Sequence, residues 1–272
     1  MKRPSARQKA SRSPNERVIK RPAIKHHKAP ARTKMPGSDS NGCHFSDIDV
    51  FWRSVEGEWY NKVSDHWASE EPSNKGVLGG LPQTHQPDLS SSRRFLQALR
   101  ALARPPGFGC VLDCGAGVGR VTEGLLRDAF QEVDLLEPSP GLLAEARRRL
   151  ANRTGIRFLS EALQEFEPAE DRYDVVWLQW VVLHLMDVDL VAVLSRCRTR
   201  LRPDGMICIK DNVAPASGWE VDKGDHSIAR TERLYRWLFA QAGLRVVLKW
   251  QQTDWPDDVM PVTMFALRPI EK

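Results

Sequence analysis

The most constraining feature of this 272-residue sequence is an alternation, beginning at residue 110, of short apolar runs with longer amphipathic stretches. The apolar runs predict strands at 110–114, 133–137, 156–160, 174–179 and 205–211. Helical spacing of the apolar residues between them predicts helices near 119–130, 140–152 and 187–201. Strands that alternate with helices form parallel sheets with right-handed crossovers. We therefore expect an α/β fold built on a parallel sheet.

The ends of this alternating region depart from the pattern. After a loop predicted at 212–227, a helix near 229–242 leads to two apolar runs, LRVVLKW at 244–250 and PVTMFALR at 261–268. Because no helix separates these two runs, they should pair as antiparallel strands at one sheet edge. Upstream, DIDVFWRSVEGEWYNKV at 47–63 has helical spacing, and the serine cluster of SSSRRFLQALRALA at 90–103 is expected to cap a second helix.

Charge divides the chain into a tail and a body. Residues 1–42 carry twelve Lys and Arg against two acidic residues, a net charge of +10, whereas the whole chain carries +5, so residues 43–272 carry −5. The tail has no apolar periodicity, which predicts disorder. Its segment KRPAIKHHK suits a nuclear import signal or a nucleic-acid contact, and a tail that only improves solubility is an equal alternative. Because the body is acidic, nucleic acid is expected at most through the tail.

Several classes of partner and compartment are disfavoured by composition. The longest apolar run is far shorter than the roughly 20 residues that span a bilayer, so we expect no membrane partner. The five cysteines have no metal-ligand spacing, and we expect no metal site. Unpaired cysteines suit a reducing compartment, so the expected location is the cytoplasm, the nucleus or both.

A glycine-rich turn, VLDCGAGVGR at 111–120, follows the first strand of the alternating region and opens the next helix. Gly115, Gly117 and Gly119 allow a tight turn and the close approach of a ligand to a helix N-terminus. The spacing G-x-G-x-G differs from the G-x-G-x-x-G of dinucleotide-binding folds. Glu137 ends the second strand, 22 residues after Gly115, where carboxylates that bind ribose hydroxyls occur.

Polar side chains also follow the next two strands. Leu163 and Gln164 in ALQEF come after the third strand, where an adenine would lie, and Gln179 ends the fourth. Each of these has a purely structural explanation when it is taken alone. Together they occupy matching strand ends, which is where open α/β sheets bind ligands, so the pattern indicates a nucleoside-cofactor site. The run VVWLQWVVLHLM at 175–186 adds Trp180 and His184 just beyond Gln179.

These motifs carry a resemblance. LDCGAGVGRVT, LQEF, WLQWVVLHL, IKDNVA, DHSIAR and the upstream GVLGG are similar to the motifs of the protein α-N-terminal methyltransferases, which are class I S-adenosylmethionine-dependent methyltransferases. The resemblance covers roughly residues 48–268. It implies a Rossmann-like, seven-stranded, mostly parallel sheet with an antiparallel last strand and an N-terminal helical extension. It also implies an enzyme that transfers methyl groups from S-adenosylmethionine to the α-amino group of proteins that begin X-Pro-Lys or X-Pro-Arg.

The resemblance also implies roles for individual residues. The expected cofactor contacts, including the second glycine of the loop, are Gly115, Gly117, Arg120, Glu137, Leu163, Gln164 and Gln179. The expected substrate contacts are Leu78, Gly79, Trp180, Asp222 and Ser227, and the expected catalytic residues are His184, Asp225 and Asn212. Either His184 or Asp225 is the general base. In the first helix, Trp59 or Tyr60 is expected at the substrate, and Met260 stands where a tyrosine is expected.

The domain organisation follows from these expectations. Residues 1–42 form the tail and residues 43–272 a single domain, in which 43–109 supply helices and a substrate lid and 110–272 the Rossmann-like core. GVLGG at 76–80 is expected to be a lid strand or hairpin, with its glycines as a hinge. The alternatives are a methyltransferase with another protein or small-molecule acceptor, a dinucleotide-dependent oxidoreductase, which the glycine spacing disfavours, and a binding module without turnover.

Overall fold

A computed structural model describes residues 34–270 of the chain. The segment before the core sheet contains two short strands, three helices and two 3₁₀ turns: β1 (Gly37–Asp39), β2 (His44–Phe45), α1 (Ile48–Val55), α2 (Trp59–Ser69), the turns Gly76–Leu78 and Pro82–Thr84, and α3 (His85–Arg100). Asp47 caps α1 by accepting a hydrogen bond from the Asp49 N–H, as a side-chain oxygen at this position commonly does.

The alternating region begins at the first predicted strand. Its elements are β3 (Cys110–Cys114), a π-helical turn (Thr122–Leu126) that continues into α4 (Arg127–Ala129), β4 (Glu132–Leu136), α5 (Pro140–Arg149), β5 (Ile156–Leu159), β6 (Tyr173–Gln179), a 3₁₀ turn (Val182–His184), α6 (Asp187–Thr199) and β7 (Leu201–Ala214). The remaining elements are β8 (Trp219–Asp222), β9 (Ser227–Thr231), α7 (Glu232–Gln241), β10 (Leu244–Gln251) and β11 (Val262–Pro269).

The core sheet has the order β5-β4-β3-β6-β7-β11-β10. Neighbouring strands from β5 to β7 pair in parallel, whereas β11 runs antiparallel to both β7 and β10. The expected α/β class, the seven-stranded mostly parallel sheet and the antiparallel last strand are therefore confirmed.

Alternate residues of each buried strand serve opposite faces of this sheet. On β3, Leu112 packs with α6 and α7 on one face, while Val111 packs with α3 and the π-helical turn on the other. Both residues are fully buried. Because the strand is covered on both faces, its sequence is one continuous apolar run without polar alternation.

The segment 212–227, which was expected to be a loop, instead contributes strands to a second, smaller layer. Strand β7 continues to Ala214, and β8 and β9 form an antiparallel hairpin, with β9 pairing in parallel with the end of β7. Strand β1 then adds in parallel to the outer edge of β8, and β2 pairs with β1. The hairpin stands at the carboxyl ends of the core strands, which is the edge where the site lies.

Three further expectations differ from the structure. The GVLGG segment is a 3₁₀ turn followed by two glycines with positive φ, not a strand or hairpin. The serine cluster lies inside α3, which begins earlier, at His85, so those serines do not cap it. The tail predicted for residues 1–42 ends too late, because residues 37–39 form β1; residues 1–33, including KRPAIKHHK, lie outside the described residues.

Within the described residues, the structure shows neither a membrane-spanning helix nor a cluster of metal-ligating side chains. Between residues 34 and 270, no helix combines the length and apolarity needed to cross a bilayer. In the same range, no group of three or more His, Cys, Asp or Glu side chains is placed to hold a metal ion.

Candidate active site

A cavity of about 1010 Å³ opens at the carboxyl ends of β3, β4, β6 and β7. Every site residue expected from the sequence lines it: Leu78, Gly79, Gly115, Gly117, Arg120, Glu137, Leu163, Gln164, Gln179, Trp180, His184, Asn212, Asp222, Asp225 and Ser227. The cavity therefore brings together residues that lie up to about 150 positions apart in the chain, as the matching strand ends predict. One end is formed by the glycine-rich turn and the other by the β8–β9 hairpin.

The glycine-rich turn has a backbone that only glycine adopts readily. Gly115 has φ 61°, Gly117 has φ 57° and Gly119 has φ 74°. A Cβ at Gly115 would lie 2.5 Å from Cγ2 of Val181, so the turn also packs too closely for a side chain there. The turn thus presents its backbone directly to the cavity.

Two buried carboxyl groups flank this turn. Glu137 accepts hydrogen bonds from the Gly117 N–H at 2.9 Å and the Ser139 N–H at 2.8 Å, and burial raises its pKa despite these two bonds. Asp113 accepts a hydrogen bond from the Thr122 hydroxyl at 2.6 Å, and burial raises its pKa to about 7. Glu137 is therefore fixed in place while each of its oxygens keeps a further lone pair for a ligand hydroxyl.

A buried ionic network supports the same end of the cavity. Asp88 of α3 receives Nη1 of Arg120 at 2.6 Å and Nε2 of Gln179 at 2.8 and 2.9 Å, and it pairs with Lys210. Burial opposes ionisation of Asp88, but the charges of Arg120 and Lys210 outweigh it and hold its pKa below the usual range. Burial also lowers the pKa of Lys210 to about 8. Asp88 itself does not line the cavity, so it acts on it through Arg120 and Gln179.

The loop after β5 supplies the apolar wall. Leu163 is buried and lines the cavity beside Gln164. Arg196 of α6 fixes this loop, since its Nη2 donates to the carbonyl oxygens of Gln164 at 2.8 Å and Leu163 at 3.4 Å. The wall is thus held by its main chain, which leaves the side chains to face the cavity.

Aromatic rings line the middle of the cavity. Trp180 has φ 50°, a strained value for a residue other than glycine, and its Nε1 donates to Oδ1 of Asn212 at 2.8 Å. Its ring packs against that of Trp255, with centroids 6.0 Å apart, and Trp255 in turn donates to the Met260 carbonyl. Because its Oδ1 is occupied, Asn212 has its amide N–H groups free to donate into the cavity.

His184 lies beside these rings, on the 3₁₀ turn after β6. Its Nδ1 donates to the carbonyl oxygen of His226 at 3.0 Å, and its Nε2 accepts from Nε1 of Trp67 at 3.2 Å. Burial lowers the pKa of His184 to about 4, although the His226 carbonyl and the charge of Asp225 act in the opposite direction. The ring is therefore neutral near pH 7, with both of its nitrogens engaged.

Of the two aromatic residues expected at the substrate, Trp59 and Tyr60, only Tyr60 lines the cavity; Trp67 of α2, which was not expected, lines it as well. Trp67 lines the cavity and contacts His184, whereas Trp59 is buried and donates from Nε1 to the His184 carbonyl oxygen at 2.8 Å. Tyr60 also lines the cavity, and its hydroxyl donates to Asp189 at 2.5 Å.

The acidic end of the cavity is carried by the hairpin. Asp222 ends β8, Ser227 begins β9, and Asp225 lies in the turn between them. Asp222 accepts from the Gly224 N–H at 2.7 Å, whereas the buried Oδ1 of Asp225 has no hydrogen-bond partner among the described residues. A buried carboxylate oxygen at the cavity wall without a partner is available to an incoming donor.

The residues that sequence reasoning missed share one property. Asp88, Trp67, His226 and Arg196 act on the site through partners that are 30 to 120 residues away, roughly, and no local motif marks such contacts.

The donor set suits a nucleoside cofactor with a charged amino-acid tail. The positive-φ glycine backbone suits the amino-acid tail, which contacts main chain. The buried carboxylate with free lone pairs suits a ribose, and the apolar wall suits an adenine. This arrangement, on a seven-stranded sheet whose last strand is antiparallel, defines a class I S-adenosylmethionine-dependent methyltransferase.

Comparison with known proteins specifies the family within this class. Residues 55–268 match the model of the AdoMet dependent proline di-methyltransferase family, and the chain belongs to that family. It is 42% identical over 217 residues to N-terminal Xaa-Pro-Lys N-methyltransferase 1-B of Xenopus laevis, covering 78% of this chain and 96% of that protein. It is 37% identical over 249 residues to alpha N-terminal protein methyltransferase 1 of Arabidopsis thaliana, covering 85% and 90%.

Solved structures agree with this assignment. A SAM-dependent methyltransferase from Leishmania major superposes with a TM-score of 0.82 at 33% identity, covering 89% of this chain and 99% of that chain. Magnesium protoporphyrin IX methyltransferase from Synechocystis, solved with bound SAM, shares the fold alone, with a TM-score of 0.53 at 16% identity over 81% of this chain and 95% of that chain. The resemblance noted in the sequence is confirmed, and the protein is an S-adenosylmethionine-dependent methyltransferase.

Proposed function

We propose that this protein methylates the α-amino group of proteins whose N-termini begin X-Pro-Lys or X-Pro-Arg. The Xenopus laevis relative is an N-terminal Xaa-Pro-Lys N-methyltransferase and the Arabidopsis thaliana relative an alpha N-terminal protein methyltransferase, and the chain covers 96% and 90% of their lengths. The observation that carries the proposal is an oxygen of Asp225 with no hydrogen-bond partner among residues 34–270, in the same cavity as neutral His184 and the Asn212 amide.

The cofactor half of the cavity has the following assignments. Gly115, Gly117 and Arg120 hold the amino-acid tail of S-adenosylmethionine, Glu137 the ribose hydroxyls, and Leu163, Gln164 and Gln179 the remaining contacts. When bound, S-adenosylmethionine supplies an electrophilic methyl group on a sulfonium. The protein's own contribution is to hold the acceptor amine in line and to exclude water, because positioning accounts for much of such catalysis.

The acceptor amine must lose a proton before it can react. An α-amino group has a pKa of about 7.7–8.0, so much of it is protonated at neutral pH. Asp225 offers a carboxyl oxygen that accepts from no donor among the described residues, whereas His184 has its Nε2 occupied by Trp67 and a pKa of about 4. We therefore assign Asp225 as the proton acceptor and His184 as a residue that positions the amine. A lysine side chain, with a pKa near 10.4, would be harder to deprotonate here.

The remaining acceptor contacts fit an N-terminal tripeptide. The amide of Asn212 donates to the first residue's carbonyl oxygen. The ring of Trp180 packs on the second-residue proline, which has no N–H to leave unpaired. Asp222 binds the third-residue Lys or Arg by a charge-assisted bond, while Leu78, Gly79 and Ser227 complete the walls.

Mass spectrometry of four peptides tests this proposal. The enzyme and S-adenosylmethionine should add one to three methyl groups to a peptide beginning Ser-Pro-Lys, and none to one beginning Ser-Ala-Lys. An N-acetylated Ser-Pro-Lys peptide should remain unmodified, which separates α-amine from lysine methylation, and Ser-Pro-Glu should be a poor substrate. S-adenosylmethionine binding without methylation of any peptide would contradict the proposal and indicate another protein or a small-molecule acceptor.

The location of the protein stays a separate proposal. We propose that it acts in the cytoplasm, the nucleus or both, with residues 1–42 as an import signal. Unchanged localisation after replacement of the basic residues in KRPAIKHHK by alanine would contradict the import role.

A further inference from the structure

Residues 35–45, which we call the N-terminal strap, precede the region matched by the family, which begins at residue 55. The strap contains β1 and β2, and β1 is hydrogen-bonded in parallel to β8 from Gly37 to Asp39. Strand β8 leads directly to Asp222 and to the turn that carries Asp225. The strap is therefore the neighbour of the hairpin to which we assign the acceptor peptide.

The contact between strap and hairpin is close and fully buried at Trp219. The indole Nε1 of Trp219 donates to the Met35 carbonyl oxygen at 2.9 Å, and the side chain is 0% exposed. Gly37 lies flat on this ring, since a Cβ there would come within 2.1 Å of Cδ2 of Trp219. A contact this short is far below normal van der Waals separation, so only glycine fits at position 37.

The far end of the strap fixes the hairpin turn. The Ser40 N–H donates to the Val221 carbonyl oxygen at 2.8 Å, and Ser40 Oγ accepts from the Lys223 N–H at 3.0 Å. Nζ of Lys223 pairs with Asp39 at 2.6 Å, and Asp39 also accepts from the N–H groups of residues 41 and 43. Lys223 stands between Asp222 and Asp225, so these bonds act on the segment that joins the two carboxylates.

The strap also forms part of the cavity wall. Ser38, Asp39 and Ser40 line the cavity at its hairpin end, whereas the strap makes no hydrogen bond to the glycine-rich turn or to Glu137 in the described region. An element that touches only one end of a cavity acts selectively on the ligand at that end.

We propose that the N-terminal strap is the outer wall of the acceptor channel and a positioning element for Asp222 and Asp225. It determines the affinity for the acceptor peptide and leaves S-adenosylmethionine binding unchanged. This inference rests on the proposed function, because it assigns a further determinant of peptide specificity to the same site. It also means that the functional unit begins near residue 35 and not at the start of the matched region.

The test is Gly37→Val in the full-length chain, with Gly57→Val as the matched control. A Cβ at Gly57 meets nothing within 4 Å, and that residue lies outside the strap. Gly37→Val should raise KM for a Ser-Pro-Lys peptide about tenfold or more, as expected when contact residues shift by about an ångström. The Kd for S-adenosylmethionine, measured by calorimetry, should change less than about twofold, and the control should leave both constants unchanged.

A milder pair of variants keeps the test independent of folding. Asp39→Asn and Ser40→Ala remove the ties to Lys223 without adding bulk, and each should raise the peptide KM about threefold with the Kd for S-adenosylmethionine unchanged. An unchanged peptide KM in all three strap variants, with wild-type methylating the peptide, would overturn the inference. Equal losses of peptide and S-adenosylmethionine binding would also overturn it, by showing a general folding role. A wild-type chain that methylates no peptide would instead remove the proposed function and, with it, this inference.

Discussion

At the scale of single residues, Asp225 and His184 face the same end of the cavity with unequal freedom to accept a proton. His184 is held on both nitrogens and is hard to protonate, whereas Asp225 has a buried oxygen that finds no hydrogen-bond partner in the part of the chain that the structure describes. Trp67 donates to His184, so the imidazole would have to lose that bond before it accepted a substrate proton. The choice of proton acceptor therefore depends on which side chain has an atom free to accept a proton, and not on residue type.

Asp225→Asn should therefore lower kcat by about 100-fold at pH 7.5, because loss of a general base typically costs 10²–10⁴-fold. Asp222→Asn is the matched control, since it removes a carboxylate from the same hairpin and should mainly raise the peptide KM. Steady-state kinetics with a Ser-Pro-Lys peptide separates the two effects. A kcat reduced equally in both variants would contradict the assignment of Asp225.

His184→Gln should lower kcat but leave the midpoint of the pH profile unchanged. Because burial holds the pKa of His184 at about 4, the ring stays neutral from pH 5 upward and does not titrate in the working range. No midpoint near 6.5, the pKa of an unperturbed imidazole, should therefore appear in the profile of log kcat/KM against pH, in wild-type and variant alike. A midpoint near 6.5 that disappears in the variant would show that His184 carries the proton.

Asp88 shows how much of a site depends on residues outside it. Asp88→Asn should weaken S-adenosylmethionine binding and destabilise the fold by about 3–5 kcal/mol, because Arg120 and Lys210 would lose their buried counter-charge. The double variant Asp88→Asn with Lys210→Met removes one buried cation and should recover part of the stability. Urea denaturation and calorimetry measure both quantities. An additive loss in the double variant would contradict the network.

Residue identities at the site were largely accessible from the sequence, but their partners were not. Matching strand ends and the motif resemblance place Glu137, Gln179 and Asn212 correctly in the cavity. Trp67 was missed because its contact with His184 spans 117 residues, and of the two aromatic residues expected in its place, Trp59 and Tyr60, only Tyr60 lines the cavity. Such contacts depend on how α2 docks, which no local pattern encodes.

At the scale of elements, the turn Val182–His184 is held by hydrogen bonds from β9, a strand of the hairpin. Arg230 of β9 is 0% exposed, and its guanidinium donates to the carbonyl oxygens of Val182 at 3.0 Å and Leu185 at 2.5 Å and to Asp187 at 2.9 Å. An arginine guanidinium carries five N–H donors in a fixed fork and can serve these three acceptors at once, which a lysine ammonium does not do in the same geometry. The same strand begins with Ser227, so Arg230 couples the hairpin to the turn of His184.

Arg230→Lys should lower kcat about tenfold or more through this turn, as misplacement of reacting groups does. The Kd for S-adenosylmethionine should be unchanged, because the cofactor end makes no contact with Arg230 in the described region. Arg236→Lys, a conservative change on the exposed side of α7, is the control. Equal kcat values for Arg230→Lys and wild-type would contradict the positioning role.

The central strands β3, β4 and β6 were predictable because they are buried on both faces, so their sequences are nearly continuous apolar runs. The strand at 110–114 is observed at those residues, and the last two strands pair antiparallel as expected. The β8–β9 hairpin was missed because β8 has only four residues, between the turn-forming Gly218 and Gly224. Its other neighbour, β1, is about 180 residues upstream, so the pairing has no local signature.

At the scale of the whole molecule, the fold buries three titratable groups whose pKa values are shifted: Asp113 and His184, which line the cavity, and Asp211, which does not. Burial raises the pKa of Asp113 and of Asp211 to about 7 and lowers that of His184 to about 4. In the unfolded chain the carboxyls have pKa values near 3.9 and the imidazole near 6.5. These shifts couple the stability of the domain to pH in the range where the enzyme works.

The sign follows from which state binds more protons. Between about pH 4 and 7 the folded state keeps protons on Asp113 and Asp211 that the unfolded state releases, so stability falls as the pH rises. His184 acts in the opposite direction between about pH 4 and 6.5, because there the unfolded state holds the extra proton. Among these three groups the two carboxyls outweigh the imidazole, so their combined contribution should lower the free energy of unfolding between pH 5 and pH 7.5 by a few kcal/mol, roughly.

Asp211→Asn isolates one part of this dependence. Asparagine keeps an oxygen for the Asn212 N–H, which now bonds Asp211 at 2.8 Å, but it has no proton to lose. The slope of stability against pH between 5 and 7 should become shallower by up to about 3 kcal/mol over the range. The exposed Asp257→Asn is the matched control and should keep the wild-type slope. Urea denaturation at pH 5, 6 and 7 measures the slopes. If the free energy of unfolding has the same slope against pH in wild-type and Asp211→Asn, then Asp211 is already ionised at pH 5 and burial does not control its charge.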